Sequence, residues 1–119
     1  MKIISSVIVA IIVLQFIGCA PETQFYWGNY SKTLYAYKKS PDDKTLAVHK
    51  NSLNDIITVS TKKHATVPPG VYAELGYILL KENKEKESFE CFDKEIKLYP
   101  ESIEFIGKLK AEFHSGETK

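Results

Sequence analysis

Few residues in this chain are equipped for chemistry, and their spacing keeps them apart. Cysteine occurs twice, at Cys19 and Cys91; a thiolate can act as a nucleophile or a metal ligand. Histidine occurs three times, at His49, His64 and His114. None pairs with another His or with a Cys at the short spacing that closes a metal site on one helix or turn. The chain has no nucleophile elbow and no glycine-rich phosphate loop. The carboxylates of "KENKEKESFECFDKEIK" alternate with lysines at helical intervals, the pattern of a solvated helix face. No catalytic or metal-binding residue is assigned, no cofactor is expected, and the chain reads as a non-enzyme. Cys19 is the exception, because of where it stands.

Met1-Lys2 is a minimal basic start, and "IISSVIVAIIVLQFIG" after it carries no charge and ends on the small Gly18. Spanning a bilayer core takes about 20 apolar residues, and the apolar run here is shorter and is interrupted by Ser5, Ser6 and Gln15. Such a segment reads as a secretory signal rather than a permanent anchor. Cys19 follows it directly. The stretch "FIGCA" at 16–20 resembles the lipobox of bacterial lipoproteins, with Phe16 where leucine is commoner. The resemblance implies cleavage between Gly18 and Cys19, a diacylglycerol on the Cys19 thiol, and a fatty acyl group such as palmitate on the new amino group. Each buried methylene contributes about 0.8 kcal/mol, so two or three acyl chains hold where one is marginal. By analogy with Gram-negative sorting, Ala20 rather than Asp after the cysteine implies an outer-membrane lipoprotein facing the periplasm.

Removing the first 18 of 119 residues takes one of the 16 lysines, leaving 15 to face 15 acidic side chains. There is no arginine, hence no planar fork for bidentate phosphate contacts. No concentrated positive field exists either, and nucleic acid is excluded as a partner on both grounds. With Cys19 committed to lipid, Cys91 stands alone and is read as a buried small hydrophobe. A single domain of this size buries a sufficient core without cross-links.

Residue spacing gives the elements. Apolar positions recur at three and four, with no hairpin signal, so an all-α domain of about five helices is expected. The first runs from Gly28 to about Lys39 with Tyr30, Leu34 and Tyr37 on one face. "SPDD" opens the second, with Ser40 as its N-cap and Pro41 in the first turn. Leu46, His49, Leu53, Ile56 and Ser60 form its inner face, and it ends near Lys62. "ATVPPG" breaks the chain. "VYAELGYILLKEN" and "KEKESFECFDKEIKLY" follow as the third and fourth helices, the fourth with Ser88, Phe92, Ile96 and Tyr99 inward. "ESIEFIGKLKAEF" is the fifth, with Ile103, Ile106, Leu109 and Phe113 inward. The organisation is a signal at 1–18, a linker at 19–24, a helical domain at 25–113 and a frayed polar tail at 114–119.

Within the second half, Tyr72, Leu75, Gly76, Leu79, Ser88, Phe92 and Pro100 resemble the tetratricopeptide repeat, W-x2-L-G-x2-Y then A-x3-F then P. Every spacing matches. The resemblance implies that Gly76 and Ser88 let two helices approach while Tyr72, Leu75, Leu79 and Phe92 fill the space between them. Glu95 stands where alanine is common and is expected to loosen packing against the next helix. Trp27, Tyr30 and Leu34 imitate the first-helix spacing only. A degenerate pair, a good pair and a closing helix make a minimal solenoid.

Residues 25–113 also resemble a family of short bacterial lipoproteins carrying a domain of unknown function. The carriers are "YWGNYSKTLYAY" at 26–37 and "PPGVYAELGYILLK" at 68–81. That resemblance implies a place in an assembly of envelope lipoproteins, one of them resembling the curli secretion pore. Of the six rings opening the domain, Trp27, Tyr30 and Tyr37 are expected in the core. Phe25, Tyr26 and Tyr35 are the candidates for a partner or membrane-interface contact. The leading expectation is a lipid-anchored, non-enzymatic scaffold or accessory subunit. The alternative is a module binding a small envelope ligand or peptidoglycan fragment through a pocket in the aromatic opening.

Overall fold

The structure is a computed structural model and describes Met1 and residues 25–117. The leader after Met1, including Gly18, and the linker with Cys19 lie outside the described residues. Five α-helices follow in order: α1 (Tyr30–Lys39), α2 (Asp43–Lys62), α3 (Val71–Lys81), α4 (Glu85–Leu98) and α5 (Ile103–Glu117), with a 3-10 turn at Pro100–Ser102 before α5. The described residues hold no strand, and none of their helices is long and apolar enough to cross a membrane.

Local chemistry sets the boundaries. Gly28 takes a left-handed φ of 47°, and the Tyr30 amide then donates to the Trp27 carbonyl to begin α1. The cap of α2 is Asp42, not Ser40: Asp42 Oδ1 accepts from the Thr45 amide at 2.7 Å, and Thr45 Oγ1 accepts from the Asp42 amide at 3.2 Å. This reciprocal box satisfies two orphan donors. The Thr45 amide holds the Asp42 carboxyl below the usual carboxylate range. Ser40 serves the preceding helix instead, its amide donating to the Ala36 carbonyl. After α2, His64 turns left-handed at φ 52°. The loop is then held by Val67 and Pro68, both buried, and by the Tyr99 hydroxyl donating to the Val67 carbonyl at 2.7 Å. Asn83, at φ 58°, ends α3, and the Lys84 amide returns to the Leu79 carbonyl, the usual left-handed C-terminal closure.

α3 and α4 pack most closely. A Cβ on Gly76 would stand 2.7 Å from Phe92 Cε1 and 3.1 Å from the Ser88 carbonyl oxygen. Ser88 Oγ donates to the Gly76 carbonyl at 2.7 Å. Only a glycine permits this approach. The main core joins Leu53 and Ile56 of α2 to Val71, Leu75, Ile78 and Leu79 of α3 and Cys91 of α4. A second cluster sets Ile106 of α5 against Leu80 and Phe92, flanked by Phe89, Ile96, Leu109 and Phe113.

The inner face expected for α2 is observed, with Leu46 half-buried at its edge. Ile103 differs, being 59 % exposed: the 3-10 turn places it at the helix start, and Ile106 is the first residue to enter the core. α5 continues through His114 to Glu117, into the segment read as a polar tail.

Glu95 is the largest departure. It is 1 % exposed and reaches the start of α3, where Oε1 accepts from the Gly70 amide at 2.7 Å and Oε2 from the Ala73 amide at 3.3 Å. Gly70, the N-cap, has no side chain to offer, so a carboxylate from the neighbouring helix takes the orphan donors and the positive end of the dipole. The expected looseness is instead a tie.

Candidate functional site

Polar side chains on the inner faces of α1, α2 and α3 meet in one chain. Thr33 Oγ1 of α1 lies 2.8 Å from Nδ1 of His49, which is 1 % exposed. His49 Nε2 lies 2.8 Å from Glu74 Oε1 of α3, and the Tyr30 hydroxyl donates to Glu74 Oε2 at 2.8 Å. A carboxylate only accepts, so His49 Nε2 carries the hydrogen. Burial, and then the Glu74 carboxylate, push the Tyr30 phenol up to about 12. The order hydroxyl, imidazole, carboxylate is that of an acyl-transfer triad. Here, however, Thr33 Oγ1 is buried and lies 3.2 Å and 3.1 Å from the Asn29 and Tyr30 carbonyl oxygens. Its surroundings are helix backbone and imidazole, and the arrangement works as a clip between helices.

Above this chain lies a cleft of about 410 Å³ between α1 and α3, lined by Leu34, Tyr37, Leu46, Tyr77 and Ile78 and rimmed by Lys38 and Lys81. A second trough, about 480 Å³, runs between α3 and α5 over Gly70 and Ala73, with Tyr77, Phe105 and Leu109 as walls. Tyr77 and Glu74 line both, so one face of α3 presents a ridge with a hollow on either side. Phe105 and Tyr77 are exposed there. Both volumes fall within the range of about 300–1,000 Å³ usual for binding sites. Among the described residues no group of three His, Cys, Asp or Glu could hold a metal ion.

The residues singled out in the sequence divide clearly. Leu75, Gly76, Leu79, Ser88 and Phe92 are buried between α3 and α4. Tyr72 is half-buried against the same core, with the Lys94 ammonium 5.6 Å from its ring centre, and Pro100 begins the 3-10 turn. Phe25 is half-buried and Tyr35 exposed. Tyr26 and Trp27 exchange roles. Tyr26 packs on the core and donates to Asp55 Oδ2 at 3.2 Å, whereas Trp27 is 41 % exposed, its ring edge-on to Tyr30. Gly28 turns the chain just before α1, so the helical spacing cannot be extended back to Trp27.

A family model described as "Domain of unknown function (DUF4810)" matches residues 24–109. The chain belongs to this family. The DUF4810 domain thus takes in α1 to α4 and α5 as far as Leu109, including both hollows up to that residue. No curated protein and no solved structure matches the chain.

Sequence reasoning placed His49 on an inner face but left Thr33, Glu74 and Tyr77 unassigned. Glu74 lies one residue before Leu75, and its partners come from 25 and 44 positions away. The signal available was the buried register of His49, which needed a polar partner.

Proposed function

We propose that this DUF4810 domain is a lipid-anchored, non-enzymatic scaffold that receives another envelope protein on the face shared by α1, α3 and α5. The observation that carries the reading is the Tyr77 ridge between two aromatic-walled hollows, with Phe105 exposed beside it. Exposed aromatic anchors beside preformed hollows are what protein interfaces use as hot spots. In support, the α3–α4 pair packs through Gly76, Ser88 and Phe92 as a tetratricopeptide-like pair would, and stacked pairs offer one continuous face. Of the aromatic opening, Tyr26 and Tyr30 lie against the core, Trp27 and Tyr35 are exposed, and Tyr37 lines the cleft between α1 and α3.

In this reading the chain is cut before Cys19, acylated there, and held at the periplasmic side of the outer membrane. The partner is another envelope lipoprotein, one resembling the curli secretion pore being the expected case. The test is co-purification from membranes in mild detergent, followed by mass spectrometry. The native chain should bring down specific envelope proteins, while Cys19→Ser and, separately, Phe105→Glu should not. A native chain that emerges alone and monomeric would refute the scaffold.

A further inference from the structure

The cleft between α1 and α3 has a floor and a mouth of different chemistry. Ile78 and His49 are buried, Leu34, Leu46 and Tyr37 are half-buried, and Lys38 and Lys81 stand exposed on opposite helices. The Lys81 ammonium lies 4.7 Å from the centre of the Tyr77 ring. Tyr77 first, and Tyr37 from across the cleft to a lesser degree, hold that ammonium above the usual lysine range. An ammonium and two phenols therefore gather at the mouth.

The carboxylates of the lining are mostly engaged elsewhere. Glu82 holds Lys50 at 2.6 Å and Lys84 at 2.9 Å. Glu74 is taken by His49 and Tyr30. Asp43 sits in the first turn of α2, where the helix dipole favours a negative charge. Among the described residues, neither Lys38 nor Lys81 has a carboxylate within 4.0 Å. The mouth offers a small negative group the ammonium ions of Lys38 and Lys81 and the phenols of Tyr37 and Tyr77, with Asp43 the one lining carboxylate not in an ion pair among the described residues. It lacks the guanidinium forks that suit a phosphate. Below the mouth the walls are apolar.

We propose that this cleft binds the C-terminal residue of a partner chain. The terminal α-carboxylate meets Lys81, Lys38 and the Tyr37 hydroxyl, and an apolar side chain enters against Leu34, Leu46 and Ile78. The assignment rests on the scaffold reading and names the chemistry of the partner's end. A free acid with a short apolar tail carries the same groups, and the chain end is favoured because the rim continues onto the Tyr77 ridge, where preceding residues have a surface to follow.

The test is isothermal calorimetry on the full-length chain in detergent solution with three probes: Ac-Ala-Ala-Leu with a free carboxylate, its C-terminal amide, and 4-methylpentanoate. The acid peptide should bind at least tenfold more tightly than the amide. Lys81→Met, with an unchanged helical circular-dichroism spectrum, should abolish that preference. Equal binding of acid and amide, or an unaltered preference in Lys81→Met, overturns the proposal. So does 4-methylpentanoate binding as tightly as the peptide, which would assign the cleft to free acids. A co-purifying envelope partner that is retained in full by Lys81→Met would overturn the terminus assignment and leave the scaffold reading intact.

Discussion

Glu95→Ala tests whether a carboxylate from α4 builds the start of α3. Hydrogen bonds to a charged group contribute about 1.5–3 kcal/mol each, and the 3.3 Å bond to Ala73 is the weaker of the two. Gly70 is exposed, so water replaces Glu95 at its amide; the Ala73 position is buried, so its amide is left without an acceptor. Loss of the charge–dipole interaction adds about 0.3–1 kcal/mol. The desolvation of a carboxylate that is 1 % exposed works in the opposite direction. The net expectation is a loss of about 2.5 kcal/mol, which for a domain of this size lowers Tm by about 10–20 °C. Glu95→Gln keeps an acceptor for Gly70 and should lose about half as much. Glu90→Ala, on the exposed side of the same helix, should change stability by less than about 0.5 kcal/mol. Thermal and urea unfolding followed by circular dichroism measure all three. If Glu95→Ala falls within the range of Glu90→Ala, or if Gln is as costly as Ala, the capping argument is wrong.

Gly76→Ala places a methyl group against the Phe92 ring and the Ser88 carbonyl. Overpacking of about 1–3 kcal/mol should outweigh the gain of about 1 kcal/mol in helix propensity, and Phe92→Leu in the same chain should recover part of the loss in a double-mutant cycle. The Tyr30 phenol, raised from 10.0 to about 12, contributes stability that is fully present below pH 10 and lost as pH rises towards 12. Urea midpoints should therefore fall across that window, and Tyr30→Phe should flatten the fall. Burial pushes the Cys91 thiol up, so in the Cys19→Ser chain a disulfide reagent should react slowly under native conditions and readily in urea. His49→Ala should leave Glu74 and Thr33 without their shared partner and lower stability by about 2–4 kcal/mol, measured by urea unfolding.

The residues that could be read from sequence were those whose role depends on their own helix. The α2 face through His49, Leu53, Ile56 and Ser60 and the Gly76, Ser88 and Phe92 set follow from spacing of three and four, which persists wherever the helix is regular. What escaped depends on other elements. Glu95 sits among alternating lysines and carboxylates and looks like one more surface charge; its role exists only because α3 begins on a glycine 25 positions earlier. Ser40 lost the cap to Asp42 because Thr45 completes a box three residues on, a local signal that was present in the sequence. Trp27 and Tyr26 were assigned by extending a helix through Gly28, where a positive φ ends it. The hollows on either side of Tyr77 arise from three helices that only tertiary packing sets side by side.

The chain from Thr33 through His49 to Glu74 and Tyr30 has a consequence for uniqueness. α1 is a single ten-residue helix whose buried side chain is the polar Thr33, so apolar contacts alone hold its register weakly. Hydrogen bonds have direction, and only one placement of α1 brings a hydroxyl to Nδ1 and a phenol to the far oxygen of Glu74. A shifted placement would take Thr33 Oγ1 from His49 Nδ1 and the Tyr30 phenol from Glu74 Oε2, leaving His49 held by Glu74 alone. The clip thereby turns a degenerate docking problem into one with a single solution, and the shape of the cleft beside it is inherited from that solution.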